Sequence, residues 1–121
     1  MTLNEYQDKA MATCMPSCEN PLYMAFNLVG EVGELTGKLA KLIRKGYLTF
    51  SDNQMVIDGE HLQEVTDTMN ELEKELGDVM WQTAGLAKVM GWRLERVGQH
   101  NLDKLASRKE RGVIDGNGDN R

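Results

Sequence analysis

Two short acidic motifs carry the strongest chemical signal in the sequence. Glu31 and Glu34 stand three apart in NLVGEVGELTGKLAKL, and Glu75 and Asp78 repeat that spacing in ELGD. Residues three apart share one face of a helix. The first pair sits among Leu28, Val32 and Leu35, the second beside Leu76 and Val79, so both pairs edge an apolar stripe and point toward the rim of a bundle. If the two helices pack antiparallel, four carboxylates can converge, and a cation resolves their repulsion, which partial desolvation sharpens. An all-oxygen ligand set suits a hard ion, Mg²⁺ with Mn²⁺ as a substitute, and argues against zinc. Di-iron bundles need two Glu-x-x-His motifs, which this sequence lacks.

A second constellation lies downstream. Asn101, Lys104 and Arg108 recur at three and four residues, one helix face offering neutral and cationic donors to a phosphate chain. The same spacing also describes an ordinary basic surface. The acids from Glu60 to Glu73 read as a solvated face. Cys14 and Cys18 flank Pro16 and are expected as reduced thiols near the end of a short helix, too few for a disulfide framework or a four-cysteine zinc site. His61 and His100 stand apart among polar neighbours and read as solvated helix residues.

The elements that must position these residues are helical. Both prolines, Pro16 and Pro21, fall early, and no alternating β-branched run occurs. Thr2 and Glu5 form a capping box for a first helix to about Thr13. Asn20 and Pro21 open a second, about 21 to 45, with Gly46 just beyond its end. The stretch 46–59 is expected as a loop with a brief extended piece at Met55 to Ile57. From Leu62 an unbroken seam runs through Val65, Met69, Leu72, Leu76, Val79, Thr83, Leu86 and Met90, predicting a long helix packed along its length. A last helix, about 93 to 110, carries Leu94, Val97, Leu102 and Leu105. Gly30, Gly33 and Gly37 weaken the second helix by about a kcal/mol each relative to alanine, which predicts close approach of a backbone or bound group at that face.

The pattern predicts an all-α, four-helix-bundle-like domain with long central helices over residues 1–112, followed by a glycine-rich tail at 113–121. In 121 residues such a core is thin, and a seam of some 30 residues outruns its own partners, so at least a homodimer is expected. A formal charge of −5 disfavours a nucleic-acid polymer as partner. No apolar run reaches the roughly 20 residues of a membrane helix, and the N-terminus lacks a signal-peptide pattern; a cytoplasmic protein with no membrane association is expected.

Glu31-Val-Gly-Glu34, Glu75-Leu-Gly-Asp78 and the trio Asn101, Lys104 and Arg108 together resemble the MazG-type all-α nucleoside triphosphate pyrophosphohydrolases over roughly residues 22 to 112. The resemblance implies Mg²⁺-dependent hydrolysis of a (deoxy)nucleoside triphosphate to monophosphate and pyrophosphate by a helical homodimer or homotetramer. It implies Glu31, Glu34, Glu75 and Asp78 as metal ligands, with Glu31 or Glu34 activating the water. Lys104 and Arg108 would neutralise phosphate charge, Asn101 would donate a hydrogen bond, and Lys38 is a secondary phosphate contact. Trp81, Tyr23 and Phe26, with Tyr6, are candidates to border the base. Two departures stand out: the forty residues between Glu34 and Glu75 make 46–59 read as an insertion, and Glu71 occupies a place where some relatives carry lysine. Two alternatives remain open. One is a helical interaction module without catalysis; the other is a pyrophosphohydrolase for another nucleotide, such as phosphoribosyl-ATP.

Overall fold

A computed structural model describes residues 1–120; Arg121, the end of the expected tail, lies outside the described residues. Four helices, α1 (Leu3–Met11), α2 (Pro21–Arg44), α3 (Leu62–Val89) and α4 (Leu94–Glu110), are joined by short segments that include 3-10 turns at Pro16–Cys18 and Gly59–His61. Local chemistry sets their ends. Thr2 Oγ1 accepts from Glu5 N–H at 3.1 Å and Thr2 N–H donates to Glu5 Oε2 at 2.6 Å, completing the capping box. Asn20 Oδ1 accepts from Tyr23 N–H at 2.8 Å ahead of Pro21. Gly46 and Gly91 adopt φ of 76° and 73°, and the amides that follow them, Tyr47 and Trp92, return to Leu42 O and Ala87 O in Schellman closures. α1 stops two residues short of the expected Thr13, because Thr13 and Cys14 donate three residues back, to Ala10 O and Met11 O, in a tightened turn before Pro16.

The 46–59 segment is a β-hairpin, not the expected loop. β1 (Leu48–Ser51) pairs antiparallel with β2 (Gln54–Ile57), in register Leu48 to Ile57 and Ser51 to Gln54. Asp52 and Asn53 form the two-residue turn with φ of 51° and 60°, the left-handed pair that a type I′ turn requires and that Asn and Asp tolerate. The hairpin closes the far end of the α2–α3 pair. Leu48 is fully buried with Leu42 and Val65, and Tyr47, Leu39, Ile57 and Met69 pack around them. His61 is not a solvated helix residue: its ring stacks on Tyr47 with centroids 3.6 Å apart, and Nδ1 lies 2.8 Å from Asp58 Oδ2.

α2 and α3 pack antiparallel, as the cross-links show: Lys38 meets Glu75, and Lys45, further along α2, meets the earlier Glu64. At the opposite end Met11, Met24, Ala84, Ala87 and Leu94 form a second core from all four helices. The α3 seam is not packed along its whole length. Val65 is buried, whereas Leu62, Leu76 and Met90 are exposed and burial shifts to Gln82, Ala84, Gly85 and Ala87. A 3.6-residue helix drifts about 20° per heptad against a fixed stripe, and α1 packs against α3 from another side near its C-terminal end. Nor, among the described residues, does another element approach the α2 glycines. A Cβ at Gly33 or Gly37 would meet nothing within 4 Å, and at Gly30 only Asn27 of the same helix.

Candidate metal and phosphate site

Antiparallel packing brings one acidic pair of α2 against α3. Glu31, Glu34 and Glu75 each present a carboxylate oxygen within 4.8 Å of the others. Glu31 and Glu75 are half-buried and Glu34 is exposed, so the group sits at the rim of the helix pair. Burial holds the Glu31 carboxyl above the usual glutamate range, and the charges of Glu34, Asp78 and Glu75 push the same way, while a hydrogen bond from Asn27 Nδ2 at 3.1 Å opposes them. Asp78 is outside the set of mutually close oxygens, yet its charge acts on Glu31 and, from the other side, on the Tyr6 hydroxyl, whose proton is held mainly by burial. Among the described residues, Glu34 and Asp78 have no ion-pair partner.

One lysine enters the group. Lys38 Nζ, one turn beyond Glu34, lies 2.7 Å from Glu75 Oε1 and 3.1 Å from Glu71 Oε2, and these hydrogen bonds raise its proton affinity. Lys38 thus offsets Glu75 from the Glu71 side and leaves the Glu31–Glu34 side electronegative. Three hard oxygen donors with a residual negative charge fit a hard divalent cation, and among the described residues no imidazole or thiolate joins them to favour a softer one.

The other sequence-derived candidates are dispersed. Lys104 Nζ and Arg108 Nη2 both hold Asp119 Oδ1, at 3.2 and 3.0 Å, and neither pairs with the four acids. Asn101 lines an apolar groove of about 360 Å³ with Leu3, Val79, Met80, Thr83, Leu94 and Val97. Trp81 packs on the core, its Nε1–H shared between Ala10 O at 3.1 Å and Thr13 Oγ1 at 2.9 Å, so it fastens α1 to α3. Tyr23 lies toward the acids: its hydroxyl proton is held by a hydrogen bond with Cys18, and the charge of Glu31 adds to this. Phe26, 71% exposed, is five residues from Glu31, about 140° around the helix.

Sequence spacing did not find the side chains that seat α4. Asn4, Gln7 and Asp8 occupy one face of α1. Asn4 Oδ1 accepts from Glu95 N–H at 3.2 Å, Gln7 Oε1 from Leu94 N–H at 3.1 Å, and Asp8 takes both guanidinium nitrogens of Arg93 at 2.7 and 2.9 Å. A polar face spaced three and four apart was the available signal, and it reads equally well as solvated.

A protein described as "Gene 37 protein" of Mycobacterium phage L5 is 45% identical over 105 residues, covering 87% of this chain and 80% of that protein. No solved structure gives a significant match. No helix among the described residues is long and apolar enough to cross a membrane. A family model described as MazG nucleotide pyrophosphohydrolase domain matches residues 19–113, from the turn before α2 to the end of α4. That match spans both acidic pairs and the hairpin between them, and the chain belongs to the MazG nucleotide pyrophosphohydrolase family.

Proposed function

We propose that the protein hydrolyses a (deoxy)nucleoside triphosphate to the monophosphate and pyrophosphate, with Mg²⁺ held by Glu31, Glu34 and Glu75 and with Asp78 as a further ligand. The observation that carries the reading is the convergence of three carboxylates from two antiparallel helices, a charge cluster that a bound cation would relieve. When bound, Mg²⁺ supplies Lewis acidity at the phosphate oxygens and lowers the pKa of water. Glu31 or Glu34 accepts the proton of the water that attacks the α-phosphorus. The bond from that phosphorus to its bridging oxygen breaks, and pyrophosphate departs with the electron pair. Lys104 and Arg108 neutralise phosphate charge, Asn101 donates to a phosphate oxygen, and Lys38 reaches the phosphates from Glu75. Tyr23, with Tyr6 from α1, borders the base.

The experiment is a panel of NTPs and dNTPs, with phosphoribosyl-ATP included, assayed for pyrophosphate with Mg²⁺ or with EDTA. Release that requires Mg²⁺ and falls in Glu34→Gln and Asp78→Asn is expected. Equal release with EDTA, or none from any nucleotide, would sink the reading and favour an interaction module.

The working unit is proposed to be a homodimer or homotetramer. Leu22, Phe26 and Val29, 67, 71 and 72% exposed, line the face of α2 opposite the buried Met24 and Leu42. Val32 and Ile43 extend this exposed apolar surface, and the bare Gly30 and Gly33 let a second backbone come close. Val29→Lys is therefore expected to weaken self-association at least about tenfold, read by sedimentation, while leaving the fold intact. Unchanged association would place the interface elsewhere.

A further inference from the structure

The segment after α4 doubles back on the helix that carries the basic residues. Val113 N–H returns to Arg108 O at 3.0 Å, and the chain continues in turns to residue 120. Near its end Asp119 Oδ1 accepts from Lys104 Nζ and Arg108 Nη2, and the same guanidinium nitrogen lies 3.2 Å from Gly118 O and 3.4 Å from Asp119 O. The two partners are unequal in burial: Arg108 is 6% exposed, whereas the Asp119 side chain is 82% exposed. Arg108 Nε is buried and has no hydrogen-bond partner among the described residues. An unpaired donor on a buried guanidinium is costly, and the tail carboxylate engages only one edge of a group built to grip an anion with two.

We propose that Asp119 is a built-in stand-in for a phosphate group: the tail carboxylate closes an anion site formed by Lys104 and Arg108, and polyphosphate must displace it to bind. This rests on the reading of Lys104 and Arg108 as phosphate-binding residues. The competition is biased toward a polyphosphate. Asp119 contributes one negative charge and one oxygen from an exposed position, where ion pairs contribute little. A pyrophosphate group carries more charge and enough oxygens to satisfy Lys104, Arg108 Nη2 and the unused Nε–H together. Lys104 and Arg108 hold the Asp119 carboxyl below the usual aspartate range, which favours the ionised form of the stand-in. A mono-anion, no better than the tail itself, gains little by displacing it.

The test is calorimetric titration of the full chain with inorganic pyrophosphate in EDTA, where neither metal nor turnover contributes. Asp119→Asn is expected to bind about threefold to tenfold more tightly than the wild type. Asp115→Asn, which makes the same change in net charge on an exposed tail residue that forms no ion pair among the described residues, is expected to match the wild type. Equal affinity in Asp119→Asn and wild type, equal gains in both variants, or no binding by any of them would overturn the proposal. Hydrolysis is scored separately: turnover by the wild type without tighter binding in Asp119→Asn removes the stand-in and leaves the enzyme. Tighter binding in a protein that hydrolyses no nucleotide keeps the anion site and removes the enzyme.

Discussion

Glu31→Gln is expected to lower Mg²⁺-dependent pyrophosphate release about 10²–10³-fold, the scale on which loss of a preorganised charged group acts on a transition state, while the metal-free protein melts at the same temperature or slightly higher. The two effects have one cause. Without a cation, burial and the charges of Glu34, Asp78 and Glu75 disfavour ionised Glu31. The unfolded chain releases this proton in the ordinary glutamate range, whereas the fold retains it to higher pH. In acid both states are protonated, and wild type and variant differ little. As pH climbs from the ordinary range through the raised value, the wild type alone loses that contribution to stability. Above this window the variant is expected to be the more stable by about 0.2–0.5 kcal/mol, the scale of a like-charged pair on a helix, or roughly one to three degrees in Tm. Millimolar Mg²⁺ should reverse the order, because a ligand stabilises whichever protein binds it. Melting curves at acid and neutral pH, with EDTA and with Mg²⁺, check all four conditions. A variant that lost activity by misfolding would melt lower in every one, and full activity in Glu31→Gln would falsify the proposed role.

The carboxylate group was legible because two periodicities had to agree. Spacing of three put each acid pair on one helix face, the flanking apolar residues turned that face toward a neighbour, and antiparallel packing of α2 on α3 then brought Glu31 and Glu34 to Glu75. Asp78 obeys the same spacing but ends outside the mutually close oxygens, because a helix face is broad and spacing alone does not set how far a side chain reaches. The α4 residues show a different limit. Lys104 and Arg108 do share a face, yet what they hold is Asp119, a residue in an irregular segment with no period to read. The hairpin was hidden for a related reason. Its two strands have four residues each, too short for alternation to register, and only the Asp52–Asn53 turn carried a local signal. Exposed apolar residues on α2 and α3 satisfied the helical pattern without satisfying burial, since amphipathic periodicity marks a face for packing but not the chain that packs on it.

Gln7→Ala is expected to cost about 3–4 kcal/mol, a large part of the 5–15 kcal/mol that holds a domain together, although glutamine at that position carries no sequence signal. Gln7 is buried and makes three hydrogen bonds at the junction of α1, α3 and α4. Its Nε2 donates to Ala84 O at 3.2 Å and to Trp92 O at 3.0 Å, and its Oε1 accepts from Leu94 N–H at 3.1 Å. Arg93, the N-cap of α4, provides no side-chain cap, so Gln7 serves the first amide of that helix in its place. Truncation leaves buried partners unmatched at about 1–3 kcal/mol and opens a void whose lining cannot fully collapse. Gln7→Glu separates hydrogen bonding from size. Ionised, it accepts from Leu94 N–H but turns a second oxygen toward two carbonyls, so it should be at least as destabilising as alanine at neutral pH. Protonated, it recovers one donor. Burial raises the pKa of that carboxyl, so the recovered stability should be present in acid and lost as pH rises through the raised value. Urea unfolding from pH 5 to 8 reads the difference: the gap between Gln7→Glu and wild type should narrow toward acid, while that for Gln7→Ala stays constant. A loss under 1 kcal/mol in Gln7→Ala, or a pH-independent gap in Gln7→Glu, would show that α4 is seated by Asn4 and the Asp8–Arg93 pair alone.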